Sequence, residues 1–312
     1  MRVATIDVGT NTALLLIAGW KDGALEVIHT ASGFVRLGEG LDASGAVSQN
    51  AIERLRNVLT SHMAHVASFG IEHVIVTGTS ASRDARNADA LRALVREITG
   101  AEYTILSGDM EAEVTFEGAV AGWSGAETYE GPVTVIDVGG GSTELVEGRW
   151  NRQAAVPGRR VSLNMGSVRV TERFLTGQPA SEAEWNRAVA FMDGLLDSGV
   201  PDYTRGVPML GASGTAILLG VLQARRMDPQ AMDPISIPVA DMEWWDERVA
   251  GMSEAEVLAL EPKRMIGRSD VFPAGVRILL QAMRTLSAPV LHVSRFGVRH
   301  GVAIRYLREL SQ

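Results

Sequence analysis

A glycine-rich turn between two apolar stretches carries the clearest chemistry in this sequence, Asp137-Val138-Gly139-Gly140-Gly141-Ser142-Thr143-Glu144. Backbone amides in such a turn can approach a phosphate group closely, and neighbouring hydroxyls can donate further hydrogen bonds. The candidate phosphate-binding residues are Gly139, Gly140, Gly141, Ser142 and Thr143. Asp137, at the end of the preceding predicted strand, is placed to hold a Mg²⁺ ion directly or through water. No helix or lysine follows the glycines, which excludes a Rossmann fingerprint and a Walker loop; an ordinary hairpin turn is the alternative.

The same pattern occurs earlier in the chain, where Asp7 lies 130 residues before Asp137. Val3 to Leu15 aligns without gaps with Val133 to Leu145, and both copies read as strand, acid, small-residue turn, hydroxyl and strand. This internal repeat predicts a β-hairpin at the start of each of two lobes. Within the first copy, Thr10 and Asn11 are candidates to hold phosphate oxygens, and Asp7 is a candidate to orient metal-bound water.

Two segments of the first lobe add an arginine and a possible base. Arg83 follows a predicted strand and could clamp a phosphoryl group, although an ordinary loop arginine is the more common case. Asp109 stands where any acid would stabilise a helix N-terminus. Glu111 and Glu113 are two residues apart on the predicted helix, so they point in different directions and only one can face a given site. One of these two glutamates is a candidate general base.

Composition limits the classes of protein that this chain can belong to. With 312 residues, 46% hydrophobic and 21% charged, it should fold into two globular lobes. The absence of cysteine excludes disulfides, thiolate zinc sites and a cysteine nucleophile, and is compatible with the cytoplasm. The net charge of −8 argues against general nucleic-acid binding. Asp7 interrupts any signal-peptide pattern, and no apolar run approaches the roughly 20 residues of a membrane span, so we expect a cytoplasmic protein without membrane contact.

Local patterns place the motifs on secondary structure. The first lobe is predicted to contain, after its hairpin, a strand at 25–29, a helix at 51–69, a strand at 73–76, a helix at 88–98, a strand at 103–106 and a helix at 110–120. The second should add helices at 182–196, 216–222, 242–249 and 271–285, strands at 208–210 and 290–293, and a last helix near 298–310. Glycines and a proline at 122–132 predict the linker. His62 and His65, on an amphipathic helix, are expected to be solvated and to have no ligand role.

A basic segment begins just after the second hairpin. Six arginines lie between Arg149 and Arg173, with Glu172 as the one acid among them, which gives a local charge of +5. Such a segment could face a polyanion, or it could be a solvated strand-and-loop face. The sequence leaves both interpretations open.

Taken together, the motifs resemble the exopolyphosphatase and guanosine pentaphosphate phosphohydrolase (Ppx/GppA) family of the actin-like ATPase superfamily. The resemblance runs nearly end to end. It rests on IDVGTNT at 6–12, TSASRDA at 79–85, LSGDMEAE at 106–113, IDVGGGSTEL at 136–145, SLNMGSVRVTE at 162–172, GASGTA at 211–216 and VSRFGVRHG at 293–301.

The resemblance implies an α/β fold of two ribonuclease-H-like lobes, residues 1–124 and 125–297, each with a mixed five-stranded sheet flanked by helices. It implies an active site in the cleft between the lobes and a C-terminal helix, about 298–312, that packs back on the first lobe. By the same analogy Glu111 would activate water, and Glu144 would act beside it. Mg²⁺, or Mn²⁺ as an alternative, would be held by Asp7, Asp137 and Glu144. The phosphoryl group would be held by Asn11, Arg83, Gly139, Gly140 and Ser142. Thr10, Gly141, Thr143 and Gly214 are further candidates for phosphate binding.

The resemblance leaves the substrate open. It implies hydrolysis of the terminal phosphoanhydride of inorganic polyphosphate, in short or medium chains, or of guanosine pentaphosphate, by a homodimer. A small-molecule kinase, with the glycines at 211–214 under adenosine, is a weaker alternative. So is a sensor that binds guanosine tetraphosphate or polyphosphate without turnover. The chain departs from the family pattern at Met110, Glu113, Arg295 and His300, which affects how the phosphate chain is gripped more than whether it is hydrolysed.

Overall fold

The computed structural model describes residues 1–152, 154–228, 230, 231 and 233–310. The chain forms two compact units. Unit 1 contains Met1–Gly118 together with the chain from Phe296 onward, and unit 2 contains Ala119–Arg295. The predicted last helix therefore belongs to the same unit as the N-terminus, whereas residues 311 and 312, to which that helix was expected to extend, lie outside the described residues.

Strands and helices alternate along most of the chain. The strands are β1 (Arg2–Val8), β2 (Thr12–Lys21), β3 (Ala24–Phe34), β4 (Val74–Gly78), β5 (Tyr103–Ile105), β6 (Gly131–Val138), β7 (Thr143–Trp150), β8 (Ala155–Leu163), β9 (Met209–Gly211), β10 (Ile237–Pro238) and β11 (Val290–Val293). The helices are α1 (Leu41–Ser44), α2 (Gln49–Ser68), α3 (Ser80–Asp84), α4 (Ala88–Thr99), α5 (Gly108–Ala121), α6 (Ser167–Phe174), α7 (Glu182–Gly199), α8 (Gly214–Met227), α9 (Val239–Ala250), α10 (Glu254–Leu260), α11 (Pro262–Met265), α12 (Phe272–Thr285) and α13 (Val298–Glu309).

Unit 1 is built on one mixed sheet. Among the described residues its strands lie in the order β3-β2-β1-β4-β5, with β1 antiparallel to β2 and parallel to β4. β1 is apolar on both faces and is buried almost throughout, as a central strand with helices on both sides must be. One face packs on α2 and α4 through residues such as Leu55 and Leu91, and the other packs on α13 through Ala303 and Leu307.

Unit 2 repeats the first sheet and extends it. In the part of the chain that the structure describes, its strands lie in the order β10-β11-β9-β6-β7-β8. β6 and β7 form the same antiparallel hairpin as β1 and β2, so the repeat predicted from the sequence is confirmed. The prediction of five strands is wrong for this sheet, which has a sixth strand, β10, paired antiparallel with β11. β10 is two residues long, too short for any periodicity to reveal.

The basic segment, residues 149–173, contains a helix as well as a strand. The edge strand β8 and the helix α6 lie in it, and the bounds of neither were predicted from the sequence. Pro157 and Gly158 interrupt the β8 pattern, and a register shift against β7 occurs at this point. No helix in the described part of the chain is long and apolar enough to span a membrane.

His62 is buried, contrary to the expectation that it is solvated. Its side chain is 2% exposed, and its Nε2 lies 3.1 Å from the Ala13 carbonyl oxygen, to which it can donate. The residue belongs to the apolar stripe of α2 that includes Leu55, Leu59 and Val66. A histidine in that stripe is enclosed by its position on the helix, whatever its polarity.

Because two histidines, His62 and His300, are buried, we expect the protein to lose stability in mild acid. Burial lowers the pKa of His62, and burial together with the neighbouring Arg299 lowers the pKa of His300 well below its usual value. As the pH falls, the unfolded chain therefore binds protons at these histidines before the folded protein does, near pH 6.5. Below that pH, each histidine lowers the free energy of unfolding by up to about 1.4 kcal/mol per pH unit. We expect the urea midpoint to fall as the pH is lowered from 7 to 5.5, and the His62→Gln variant to show a shallower fall. A midpoint independent of pH over this range would contradict the assignment.

Candidate functional site

The glycine turn of unit 2 is held from one side by the start of α6. Backbone amides of Ser167 and Val168 each donate, over 2.9 Å, to the carbonyls of Gly139 and Gly140 respectively. The Arg169 Nε donates to the next carbonyl, at residue 141, over 2.8 Å. Because the C=O and the following N–H of a trans peptide point in opposite directions, the amides of residues 140 to 142 point away from α6. Successive amides that point the same way can bind an anion, and phosphate binding by this turn stays a prediction.

Gly166 allows α6 to approach the turn, which gives a testable prediction. A Cβ atom at Gly166 would lie 2.4 Å from both the C and O atoms of Gly140, and backbone cannot move aside as a side chain can. We expect Gly166→Ala to destabilise the protein by about 1–3 kcal/mol and to lower its activity by displacing the turn. Thermal unfolding measures the first effect. Gly194→Ala is the matched control, because nothing lies within 4 Å of its Cβ position, and it should leave stability unchanged or slightly raised.

Two carboxylates stand side by side next to this turn. Asp137 on β6 pairs directly with Glu144 on β7, so their side chains project from the same face of the sheet. Glu144 is 1% exposed, and its Oε1 accepts hydrogen bonds of 2.7 Å from Ser142 and from Ser162. The two serines fix the direction of the Glu144 carboxylate. Ser162 was not predicted, although the β7–β8 register brings it opposite Glu144.

These carboxylates fit the requirements of a Mg²⁺ site. Asp137 and Glu144 offer adjacent carboxylate oxygens, the type of ligand that Mg²⁺ prefers. Mg²⁺ typically binds one or two carboxylates and completes its coordination with water and substrate phosphate. The described residues contain no group of three or more acidic or histidine side chains that could enclose an ion. Asp137 and Glu144 are thus a pair of adjacent carboxylates, and Mg²⁺ binding by them stays a prediction.

Thr143 and Gly214, the other predicted phosphate ligands of unit 2, each lie next to another residue of the same unit. The Thr143 hydroxyl is buried and donates to the Met165 carbonyl, over 2.5 Å, which anchors the turn to the chain before α6. Gly214 is the first residue of α8, after its N-cap residue Ser213. A Cβ atom at Gly214 would lie 2.8 Å from the Arg268 Nη1. Phosphate binding by Thr143 and Gly214 stays a prediction.

The turn of unit 1 is held in a closely similar way. The carbonyl of Asn11 accepts from the amides of Val35 and Arg36 over 3.0 and 3.1 Å, and that of Thr10 accepts from Gly38 over 3.0 Å. The chain after β3 thus supports this turn as α6 supports the other. The amides of residues 11 and 12 consequently point away from that support.

Asp7 lies at the end of β1 near a buried cation that was not predicted. The carboxylate raises the pKa of Arg299, on α13, against the larger lowering effect of burial. The Arg299 backbone is tied to β1, because its carbonyl accepts from the Thr5 hydroxyl over 3.0 Å. Both roles predicted for Asp7, orienting water and binding a metal, stay predictions. The sequence signal was present, since Arg299 lies in the last family-like block.

The structure pairs the candidate base with the candidate phosphate clamp. Arg83, on α3, donates from Nη1 to the Glu111 Oε2 over 2.5 Å and to the Leu106 carbonyl over 2.9 Å. Glu111 is 6% exposed. Glu113 points elsewhere, and its Oε2 lies 3.3 Å from the Arg305 Nη2. The prediction that the two glutamates face different partners is confirmed, and Glu111 is the one beside Arg83.

Three departures from the family pattern lie outside these clusters of side chains. Met110 is 46% exposed, and Arg295 forms an exposed ion pair with Asp233 over 2.5 Å. His300 accepts a hydrogen bond from the Gly297 amide at its Nδ1 over 3.1 Å, which caps the N-terminus of α13. A glutamate at this helix position would accept the same bond as part of a capping box. The substitution at His300 is therefore explained by helix capping.

The basic segment divides among several elements. Arg159 forms an ion pair with Glu147 over 2.9 Å, and Arg169 supports the glycine turn. Arg160 pairs in register with Val146, two residues from Glu144, and so lies on the same face of the sheet as that carboxylate. These three arginines therefore have different structural neighbours, and both interpretations of the segment stay open.

Known proteins match this chain along nearly its whole length. The model of the Ppx/GppA phosphatase family matches residues 16–310. Exopolyphosphatase 2 of Mycobacterium tuberculosis is 34% identical, with 97% of this chain and 98% of the relative covered. The guanosine-5'-triphosphate,3'-diphosphate pyrophosphatase of Vibrio cholerae is 28% identical; it covers 99% of this chain, whereas the chain spans 60% of its length.

Solved structures agree with this similarity. A Ppx/GppA family member from Aquifex aeolicus superimposes with a TM-score of 0.78 and 27% identity over 100% of this chain and 99% of its own. An exopolyphosphatase-like protein superimposes with a TM-score of 0.86 and 27% identity, over 100% and 99% of the two chains. The predicted α/β fold, with two mixed sheets flanked by helices, is confirmed.

Proposed function

Because the chain belongs to the Ppx/GppA phosphatase family, we propose that it is a magnesium-dependent exopolyphosphatase that removes the terminal phosphate of short or medium polyphosphate chains. The family assignment supports phosphatase activity. The choice of polyphosphate is supported by the relative named exopolyphosphatase, which matches almost all of both chains. Guanosine pentaphosphate is the second candidate substrate, favoured by the relative from Vibrio cholerae, although this chain spans only 60% of it.

The observation that carries the proposal is the ion pair between Arg83 and Glu111. The glutamate accepts a proton from a water molecule while the water oxygen forms a bond to the terminal phosphorus. The bond from that phosphorus to the bridging oxygen breaks, and the shortened chain leaves with the electron pair. Arg83, whose guanidinium can bind phosphate oxygens as well as a carboxylate, holds the terminal phosphoryl group next to the base.

Unit 2 supplies binding and charge neutralisation in this proposal. The amides of the glycine turn that point away from α6 would bind phosphate oxygens, and the paired carboxylates of Asp137 and Glu144 would hold Mg²⁺. A bound Mg²⁺ ion would neutralise the charge that develops on the transferred phosphoryl group. In unit 1, Thr10 and Asn11 bind phosphate oxygens and Asp7 orients water. The expectation that both sets of residues act on one phosphate chain, in a cleft between the lobes, stays a prediction.

Phosphate release across a small substrate panel tests the proposal. Purified protein with Mg²⁺ is incubated with tripolyphosphate, longer polyphosphate and guanosine pentaphosphate, with and without a chelator. We expect release that is highest with polyphosphate and is lost on chelation. A preference for guanosine pentaphosphate would select the second candidate. Binding of these ligands without release, measured by calorimetry, would show a sensor, and ATP-dependent phosphorylation of a small molecule would show a kinase. Light scattering tests the predicted homodimer.

A further inference from the structure

Behind Arg83 lies a buried pair of hydroxyl groups that the chemistry above does not use. The side-chain oxygens of Ser82 and Tyr103 are 2.6 Å apart, and the two residues are 1% and 6% exposed. Ser82 directly precedes Arg83 in α3, and Tyr103 begins β5. A buried hydroxyl that loses its partner costs free energy, so this bond fixes the position of α3 relative to the sheet.

The Tyr103 side chain reaches α3 because β4 ends in a glycine. A Cβ atom at Gly78 would lie 2.2 Å from the Tyr103 hydroxyl oxygen, so any larger residue there would displace the ring. Burial raises the pKa of Tyr103, so the phenol keeps its proton at neutral pH. The hydroxyl pair is therefore a neutral and enclosed link between β5 and α3.

The short chain from Tyr103 to Leu106 holds α3 at two points. Tyr103 bonds to Ser82, and the Leu106 carbonyl accepts from the Arg83 guanidinium over 2.9 Å. The same segment is fixed to the sheet, since the Leu106 amide donates to the Gly78 carbonyl over 2.9 Å. α3 has five residues, too few for its own hydrogen bonds to fix its orientation. The direction of Arg83 consequently depends on contacts from outside the helix.

We propose that Tyr103 is a positioning residue: through Ser82 it fixes α3 and so directs Arg83 toward Glu111 and the terminal phosphoryl group. The inference rests on the proposed function and adds a residue to it. Loss of the hydroxyl leaves the ring and the core in place but allows α3 to shift. A misplacement of 1 Å can reduce a rate by about 10²-fold, and we expect about a tenfold loss from this single bond.

Tyr103→Phe tests the proposal, with Tyr129→Phe as the matched control. The Tyr129 hydroxyl also makes a hydrogen bond of 2.6 Å, to the Pro132 carbonyl, so the control removes a tyrosine hydrogen bond of the same length, although a less buried one, in unit 2. We expect kcat/KM for tripolyphosphate with Mg²⁺ to fall about tenfold in Tyr103→Phe and in Ser82→Ala, but less than about twofold in Tyr129→Phe. The Ser82→Ala, Tyr103→Phe double variant should lose no more than either single variant.

Combination with Arg83→Ala separates positioning from a general loss of stability. With enzyme in excess of substrate, so that slow release is measured, Tyr103→Phe should change the rate less than about twofold in the Arg83→Ala background. A tenfold effect in that background, or wild-type activity of Tyr103→Phe in the native background, would overturn the inference while leaving the proposed function intact. A wild-type protein that releases no phosphate would overturn the proposed function, and the inference with it.

Discussion

Glu111→Gln is expected to reduce kcat for phosphate release by about 10²–10⁴-fold, the usual contribution of a general base, while substrate still binds. Glutamine has the same shape as glutamate but cannot accept the proton of the attacking water. Calorimetric titration with tripolyphosphate should give a Kd within a few-fold of the wild-type value, because Arg83 stays available to bind phosphate. The Arg83–Glu111 hydrogen bond can be kept by the amide oxygen, so large changes in stability are not expected.

Glu113→Gln is the matched control for this experiment. It makes the same chemical change two residues further along α5, at a side chain that contacts Arg305. The contact is partly exposed, so its loss should cost less than about 1 kcal/mol and should leave kcat unchanged. Full activity of Glu111→Gln, or an equal loss in both variants, would exclude Glu111 as the base.

Glu144→Gln is expected to raise the Mg²⁺ concentration needed for half-maximal activity and to lower kcat at saturating Mg²⁺. The variant removes one of two adjacent carboxylates that the structure places opposite each other. Loss of a residue that binds a metal or orients one of its ligands costs about 10–100-fold in metal affinity or activity, and we expect an effect of that size here. Activity measured across a Mg²⁺ titration gives the half-maximal Mg²⁺ concentration and kcat. Calorimetric measurement of Mn²⁺ binding, without substrate, gives a readout that is independent of turnover.

Glu147→Gln provides the control on the same strand. Glu147 accepts from Arg159 over 2.9 Å, so it is engaged in an ion pair distinct from the Asp137–Glu144 pair. Its removal is expected to change stability slightly and to leave the Mg²⁺ requirement unaltered. An unchanged Mg²⁺ requirement in Glu144→Gln would remove Glu144 from the metal site and leave Asp137 as the candidate ligand.

Much of the framework could be predicted from local pattern. The gapless repeat at 130 residues placed Asp7 and Asp137 in equivalent hairpins, and the structure confirms this in the matching hydrogen bonds from Gly9 to Thr12 and from Gly139 to Ser142, both 2.9 Å. Long amphipathic helices such as α2 and α4 were also predicted from the sequence, because their apolar residues are regularly spaced. These features depend on residues that are close together in the sequence.

Features set by distant parts of the chain could not be predicted in the same way. The bond between Arg83 and Glu111 joins residues 28 positions apart, and that between Ser82 and Tyr103 joins residues 21 apart. Each depends on how β4 and β5 pair, which sequence periodicity does not specify. Ser162 was missed because β8 itself was missed. His62 could have been found, since it occupies an apolar position on α2.

Isotope labelling is the most direct test of water attack at a terminal phosphate. Tripolyphosphate is hydrolysed by the protein with Mg²⁺ in ¹⁸O-labelled water, and both products are analysed by mass spectrometry before further hydrolysis. We predict a single ¹⁸O atom in the released orthophosphate and none in the pyrophosphate. Label in the pyrophosphate would show attack at the internal phosphorus, and no hydrolysis at all, with tripolyphosphate or with longer chains, would contradict the proposed activity.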